Sequence, residues 1–239
     1  GNPTETDADA GERLMLSGRY PEAVTAFQRA LVADPDSAPL HARLARALAE
    51  DEDLDGAVRV YERTVALAPA DADSRTRLAI ILTRLDRFEE ALANLKIAVE
   101  LVPDHAWAYD VLGKLHFREG RYNDAAAAYR RATEADADYG EAWFDLGQTL
   151  LRQTDLEGAE SAFGKAVAAD SSDARFHDAL GFVHYKRRDY QAAAGRLVRA
   201  VQLNPLYARA HFNLGNTYLR LWRRDEGSAE LETFRLLDN

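Results

Sequence analysis

The chain has 239 residues, 47% hydrophobic and 29% charged, with only 14 glycines and 7 prolines. That balance suits a globular chain with material for a core, and the dominance of Ala, Leu, Glu and Arg favours helix over strand. The formal net charge of -10 makes the overall field repel nucleic acid and anionic membranes, and the absence of cysteine excludes disulfides, thiol catalysis and cysteine zinc sites while leaving the redox compartment open.

No apolar run approaches the roughly 18 to 20 residues that span a bilayer, and no charged-then-apolar leader opens the sequence, so no membrane insertion is expected. Residues 1–3 read as a polar stub. From Thr4 a 34-residue period takes over, giving seven units without insertion at 4–37, 38–71, 72–105, 106–139, 140–173, 174–207 and 208–239. Pro35, Pro69, Pro103 and Pro205 fall in phase with it. Slot eight is always tiny, from Gly11, Ala45 and Ala79 to Gly113, Gly147, Gly181 and Gly215. Slot 20 runs Ala23, Ala57, Ala91, Ala125, Ala159, Ala193 and Gly227, while slot 24 holds a large apolar residue, Phe27, Tyr61, Leu95, Tyr129, Phe163, Leu197 and Leu231.

Within each unit the apolar residues follow helical spacing in two stretches, separated by short polar turns such as SGR, EGR, QTD and RRD. Each unit therefore reads as a helix hairpin, and the protein as all-α. Gly147 gives up about 1 kcal/mol of helix propensity, which a close approach of the two helices offsets. The first helix of unit one should be weak, because Asp7 and Ala10 stand where large residues are expected. In unit seven Gly227 and Phe234 replace alanines, and Leu231, Phe234 and Leu237 are expected either on an open terminal face, a candidate surface for self-association into a homo-oligomer, or packed on a segment absent from this chain.

These residues, best seen in EAWFDLGQTLLRQTDLEGAESAFGKAV and ARAHFNLGNTYLRL, resemble the tetratricopeptide repeat (TPR) family over essentially the whole chain. The resemblance implies a right-handed superhelical solenoid of antiparallel helix hairpins whose concave wall holds an extended or helical segment of another protein.

A search for chemistry finds no Gly-rich phosphate loop, HExxH, GxSxG or calcium loop. His41, His116, His177, His184 and His211 occupy slots four or 11, where the family places buried rings, so they read as packing residues, and the carboxylates cluster where helices start. No enzyme activity, metal or cofactor is expected.

On the wall that the resemblance assigns to the first helices, the candidate partner-binding residues are Arg77, Arg84, Trp107, Asp110, Lys114, Phe117, Arg118, Phe144, Gln148, Arg152, Asp178, Phe182, Tyr185, Lys186, Asn213, Asn216 and Arg220. Over units two to seven the wall carries eleven basic and six acidic residues, a surplus of +5 that favours an acidic protein or peptide ligand. Five of those cations form a slot-13 column near helix C-termini, where the macrodipole alone explains a cation; without that column and its Glu50 the surplus is +1. Charge counting thus leaves the ligand open. Exposed rings beside arginine, including Phe212, have the composition of a protein-binding hot spot, and they concentrate in units four to six. The slot pattern of co-chaperones that clamp carboxylate tails is missing.

The leading expectation is a non-catalytic scaffold. Its rivals are a self-assembling structural protein and the targeting arm of a larger enzyme. The preference for Arg over Lys suggests a bacterial source; the sequence does not fix the compartment, which for a bacterial protein would be cytoplasm or periplasm.

Overall fold

The computed structural model describes residues 6–238. The stub at 1–3, the unit start at Thr4 and Asn239 lie outside the described residues. Among the described residues there are fourteen helices and no strand: α1 Asp7–Leu16, α2 Tyr20–Ala33, α3 Ala38–Glu50, α4 Leu54–Leu67, α5 Ala72–Arg84, α6 Phe88–Leu101, α7 Ala106–Arg118, α8 Tyr122–Ala135, α9 Gly140–Arg152, α10 Leu156–Ala169, α11 Ala174–Lys186, α12 Tyr190–Leu203, α13 Ala208–Arg220 and α14 Arg224–Leu237. The chain divides into two compact units, residues 1–115 and 116–239. In the first, α1 packs on α2, α3 on α4 and α5 on α6, with α2 against α3 and α4 against α5. In the second, α9 packs on α10, α11 on α12 and α13 on α14; α8 meets α9, α10 meets α11, α12 meets α13, and α11 touches α13 directly.

Small residues set the separation within each hairpin. A Cβ on Gly147 would stand 2.6 Å from the Phe163 ring, and one on Gly181 or Gly215 would stand 2.7 Å from Leu197 or Leu231. The slot-eight glycine and the slot-24 side chain therefore fit each other as hollow and plug. Around them the slot-20 alanines are fully buried, as are Phe27, Leu95, Phe163 and Leu197. At slot 27, alanine in most units, unit two has Thr64, whose hydroxyl donates to the Val60 carbonyl at 2.9 Å, so that hydroxyl is not stranded in the core.

Every hairpin turns on one backbone device. The residue three before the second helix's second position takes a left-handed conformation: Gly18, Glu52, Asp86, Gly120, Thr154, Arg188 and Trp222 all have φ between 58° and 73°. The next N–H then donates back to the first helix, as from Asp155 to Leu150 and from Asp189 to His184, both at 2.9 Å, which satisfies a terminal carbonyl. Only two of these positions are glycine. A bulky residue there carries a steric penalty, and Trp222, at 80% exposure, gains little packing to offset it. Trp222→Gly is expected to raise stability by up to about 1 kcal/mol, seen as a later urea midpoint. A lower midpoint would mean that the indole contributes packing after all.

The second helices begin in two ways. Asp53, Asp155 and Asp189 cap α4, α10 and α12 by accepting the N–H three residues on, at 2.9 to 3.1 Å. Where Arg stands instead, as at Arg19, Arg87 and Arg223, it clasps a first-turn glutamate, Glu22, Glu90 or Glu226. The expected weakness of unit one takes a specific form. Helix α1 has 10 residues against 13 in the other first helices, and it is closed by a capping box between Thr6 and Asp9. Asp7 thus serves the N-terminal turn instead of the core.

Candidate functional site

Helices α9, α11 and α13 are the first helices of three successive hairpins, and with Leu156 and Phe163 of α10 their side chains line a cleft of about 680 Å³. Phe163, Phe144, Ala179 and Leu151 form its apolar floor, and Thr154 and Leu156 close it where α9 turns into α10. Gln148, Arg152, Phe182, Lys186, Arg209, Phe212 and Asn213 supply the polar and aromatic walls.

Phe144 is only 7% exposed. Expected as a groove aromatic, it lines the cleft but is also packed into the core, its ring centroid 5.7 Å from Phe163 and 5.2 Å from Phe176. Slot five points between neighbouring first helices, and a large ring there is covered by the next hairpin. Asp178, at 1% exposure, is likewise interior. It accepts from Arg209 Nε at 2.7 Å and from Asn213 Nδ2 at 2.7 Å, so its charge is already matched. Asp178 fixes the two wall side chains of α13.

Several cations of the expected wall are paired within the chain, while Arg77 packs on the Trp107 ring and Arg220 reaches only the Tyr185 hydroxyl. Arg43 and Arg46 pair with Glu12, Arg84 with Glu52, Lys114 with Asp110, Arg175 with Asp173 and Glu141, and Arg209 with Asp178. Asp173, followed by Glu141, holds the Arg175 guanidinium well above its ordinary pKa. Arg152 and Lys186 differ. Among the described residues neither has a carboxylate within ion-pair distance; Lys186 Nζ sits 5.0 Å from the Phe182 ring centroid instead. Both line the cleft. The slot-13 column is therefore not uniform: Arg84 is paired, Arg220 meets only a tyrosine hydroxyl, and Arg152 and Lys186 bring charge without a carboxylate to the cleft.

Seven of the residues expected from sequence thus meet in one cleft: Phe144, Gln148, Arg152, Asp178, Phe182, Lys186 and Asn213. Others lie nearby in the same unit. Tyr185 stacks edge-on to Tyr190 at 5.5 Å, Arg220 Nε reaches the Tyr185 hydroxyl at 3.4 Å, Asn216 donates to the Phe212 carbonyl, and Phe117 packs on Tyr122 at 5.3 Å. Arg118 is exposed at the end of α7. Arg77, Arg84, Trp107, Asp110 and Lys114 belong to the first unit, where Arg77 lies 5.0 Å from the Trp107 ring and the buried Asp110 accepts from Lys114 at 2.7 Å. Thr154 and Leu156 had no sequence signal, because a turn residue contributes to a cleft through a backbone path that periodicity does not reveal. Leu231, Phe234 and Leu237 are half-buried, with Leu231 seated over Gly215 and Phe234 5.1 Å from Phe212, whereas Leu236 is 72% exposed.

The slot-four residues do more than pack. His41, His177 and His211 place Nε2 at 2.9 to 3.1 Å from the carbonyls of Pro35, Ser171 and Pro205, six residues earlier; Trp143 donates Nε1–H to Ala137 and Arg75 donates to Pro69 in the same way. One N–H donor thus ties each of these junctions between hairpins. At His177 the other nitrogen, Nδ1, is buried without a partner. Burial first, then Arg196 and Arg199, push its pKa below the ordinary 6.5, against the bond to Ser171 and the charge of Asp173. A depressed pKa means the folded state prefers the neutral ring. Its stabilisation is complete above pH 6.5 and is lost as pH falls through the folded-state value. His177→Trp keeps the N–H donor, as at Trp143, and is expected to lose less stability than the parent between pH 7 and pH 5 in urea titrations. Equal losses would remove His177 from the acid response.

Among the described residues no group of three His, Cys, Asp or Glu side chains is placed to hold a metal ion, and no helix is long and apolar enough to cross a membrane. A family model described as tetratricopeptide repeat matches residues 9–72, 111–174 and 179–236, and a second of the same description matches 71–138. Comparison with curated proteins gives no match. In structure the chain is similar to YrrB, described as a TPR protein with an unusual peptide-binding site, at 21% identity and a TM-score of 0.64 over 74% of this chain and 91% of that one. It is also similar to PilF of Pseudomonas aeruginosa, at 18% identity and a TM-score of 0.72 over 85% and 93%. A chain of the APC/C hetero-tetramer Cut9-Hcn1 aligns at 17% identity and a TM-score of 0.70, over 88% of this chain and 42% of that one. These structural likenesses speak to the fold, and the repeat models span most of the sequence: the chain belongs to the tetratricopeptide repeat family.

Proposed function

We propose that the protein is a non-catalytic interaction scaffold that holds an acidic peptide segment of a partner protein in the cleft of α9, α11 and α13. The observation that carries this reading is the pairing pattern: the other wall cations named above with carboxylate partners are neutralised within the chain, while Arg152 and Lys186 face an apolar floor without one. A cation at the edge of a water-poor apolar surface gains more from an incoming carboxylate than one in open solvent. The rings of Phe182 and Phe212, with the small exposed part of Phe144, supply the contact area that a peptide needs alongside its charges. YrrB is described as having a peptide-binding site, and the same type of use is proposed here. Selection of a displayed random peptide library on the immobilised protein tests the proposal. Enrichment of sequences rich in Asp and Glu is expected; enrichment of neutral or basic sequences, or none at all, would overturn it.

A further inference from the structure

A second, smaller hollow of about 370 Å³ lies beside the cleft, lined by Tyr207, Ala208, Arg209, Phe212, Phe234 and Asp238. Two of its residues, Arg209 and Phe212, also line the main cleft, so the two cavities share a wall. That wall is fixed. Arg209 is held by Asp178 on the cleft side, and its guanidinium carbon lies 5.5 Å from the Tyr207 ring on the other. Phe212 leans on Phe234 yet remains 44% exposed, an apolar ring left in solvent at the boundary between the two hollows.

Resting on the reading above, we infer that the ligand is bipartite: acidic residues at Arg152 and Lys186, and a large apolar side chain, aromatic or leucine, seated between Tyr207, Phe212 and Phe234. Charge complementarity at the first subsite and the shared wall with the second argue for one continuous ligand. Lys186 ends α11 whereas Tyr207 to Phe212 open α13. An offset of about eleven residues along parallel helices is roughly 16 Å, and one step between neighbouring helices adds about 9 Å sideways, a separation of about 18 Å. An extended peptide covers that in about five or six residues. The expected motif is therefore an acidic cluster and a bulky apolar residue at that spacing.

The test uses the full chain and two synthetic peptides, an acidic segment with leucine at that spacing and the same segment with alanine there, titrated by calorimetry. The leucine peptide should bind about tenfold more tightly, the effect of burying one such side chain. Ala208→Phe fills the hollow with a ring; it should erase the difference between the two peptides. Equal affinities of the two peptides for the parent protein would overturn the inference and leave the acidic cleft standing. Failure of both peptides to bind would overturn the acidic cleft and the inference with it. Concentration-dependent self-association in light scattering, abolished by Ala208→Phe, would assign the hollow to a second copy of the chain and overturn the inference as well.

Discussion

Phe163→Ala is expected to lower the stability of the folded chain by about 3 to 5 kcal/mol, the cost of emptying a large aromatic site in a packed core. Phe163 is 0% exposed, fills the hollow over Gly147, and packs on Phe144 and through it on Phe176, so one ring joins α9, α10 and α11. Glycine opposite the vacated space offers no side chain to collapse into it. Phe163→Leu separates packing from volume. Leucine already stands at this slot over Gly181 and Gly215, so that variant should cost far less, about 1 kcal/mol. Urea denaturation followed by far-UV circular dichroism measures both. Similar losses for the two variants would contradict the plug-and-hollow account of the hairpin.

Simultaneous charge reversal, Arg152→Glu with Lys186→Glu, is expected to weaken binding of an acidic peptide by about 100-fold, because two attractions at the edge of an apolar floor become repulsions. Stability should change little, since neither side chain has an ion-pair partner to lose and surface charges of this kind contribute little to folding. The same double reversal at Arg43 and Arg84 is the internal comparison. Those cations are engaged with Glu12 and Glu52, and they lie in the other compact unit, so peptide affinity should be nearly untouched. A peptide with lysine in place of its acidic residues should recover binding to the reversed protein. Loss of affinity that no complementary peptide restores would point to a damaged fold in place of a lost charge contact.

The repeat made the hairpins legible from sequence. Gly147 and Phe163, a fixed distance apart in every unit, announced the contact that the structure shows. The direction of Arg152, Lys186 and Phe182 was legible too, because slot number sets the helix face. Pairing was not. Asp178 and Arg209 are 31 residues apart, and Arg46 reaches Glu12 across 34, so summing charges by slot counted Asp178 against the wall when it is spent inside it. Phe144 was legible only in part, because a slot faces both a groove and a neighbouring helix: the ring lines the cleft and is also covered by the next hairpin. The left-handed turn was hidden because Glu52, Asp86, Thr154, Arg188 and Trp222 occupy it without glycine's signature. The junction bond was hidden because His, Trp and Arg share an N–H donor and little else that composition registers.

The claim on which the functional account depends is that a peptide lies along α9, α11 and α13 with its carboxylates at Arg152 and Lys186. Mapping amide chemical-shift changes by nuclear magnetic resonance, as a library-selected peptide is added to the intact chain, tests it most directly. Changes should concentrate at Gln148, Arg152, Phe182, Lys186 and Phe212. Changes confined to the outward faces of α10 and α12, with those five residues silent, would contradict it.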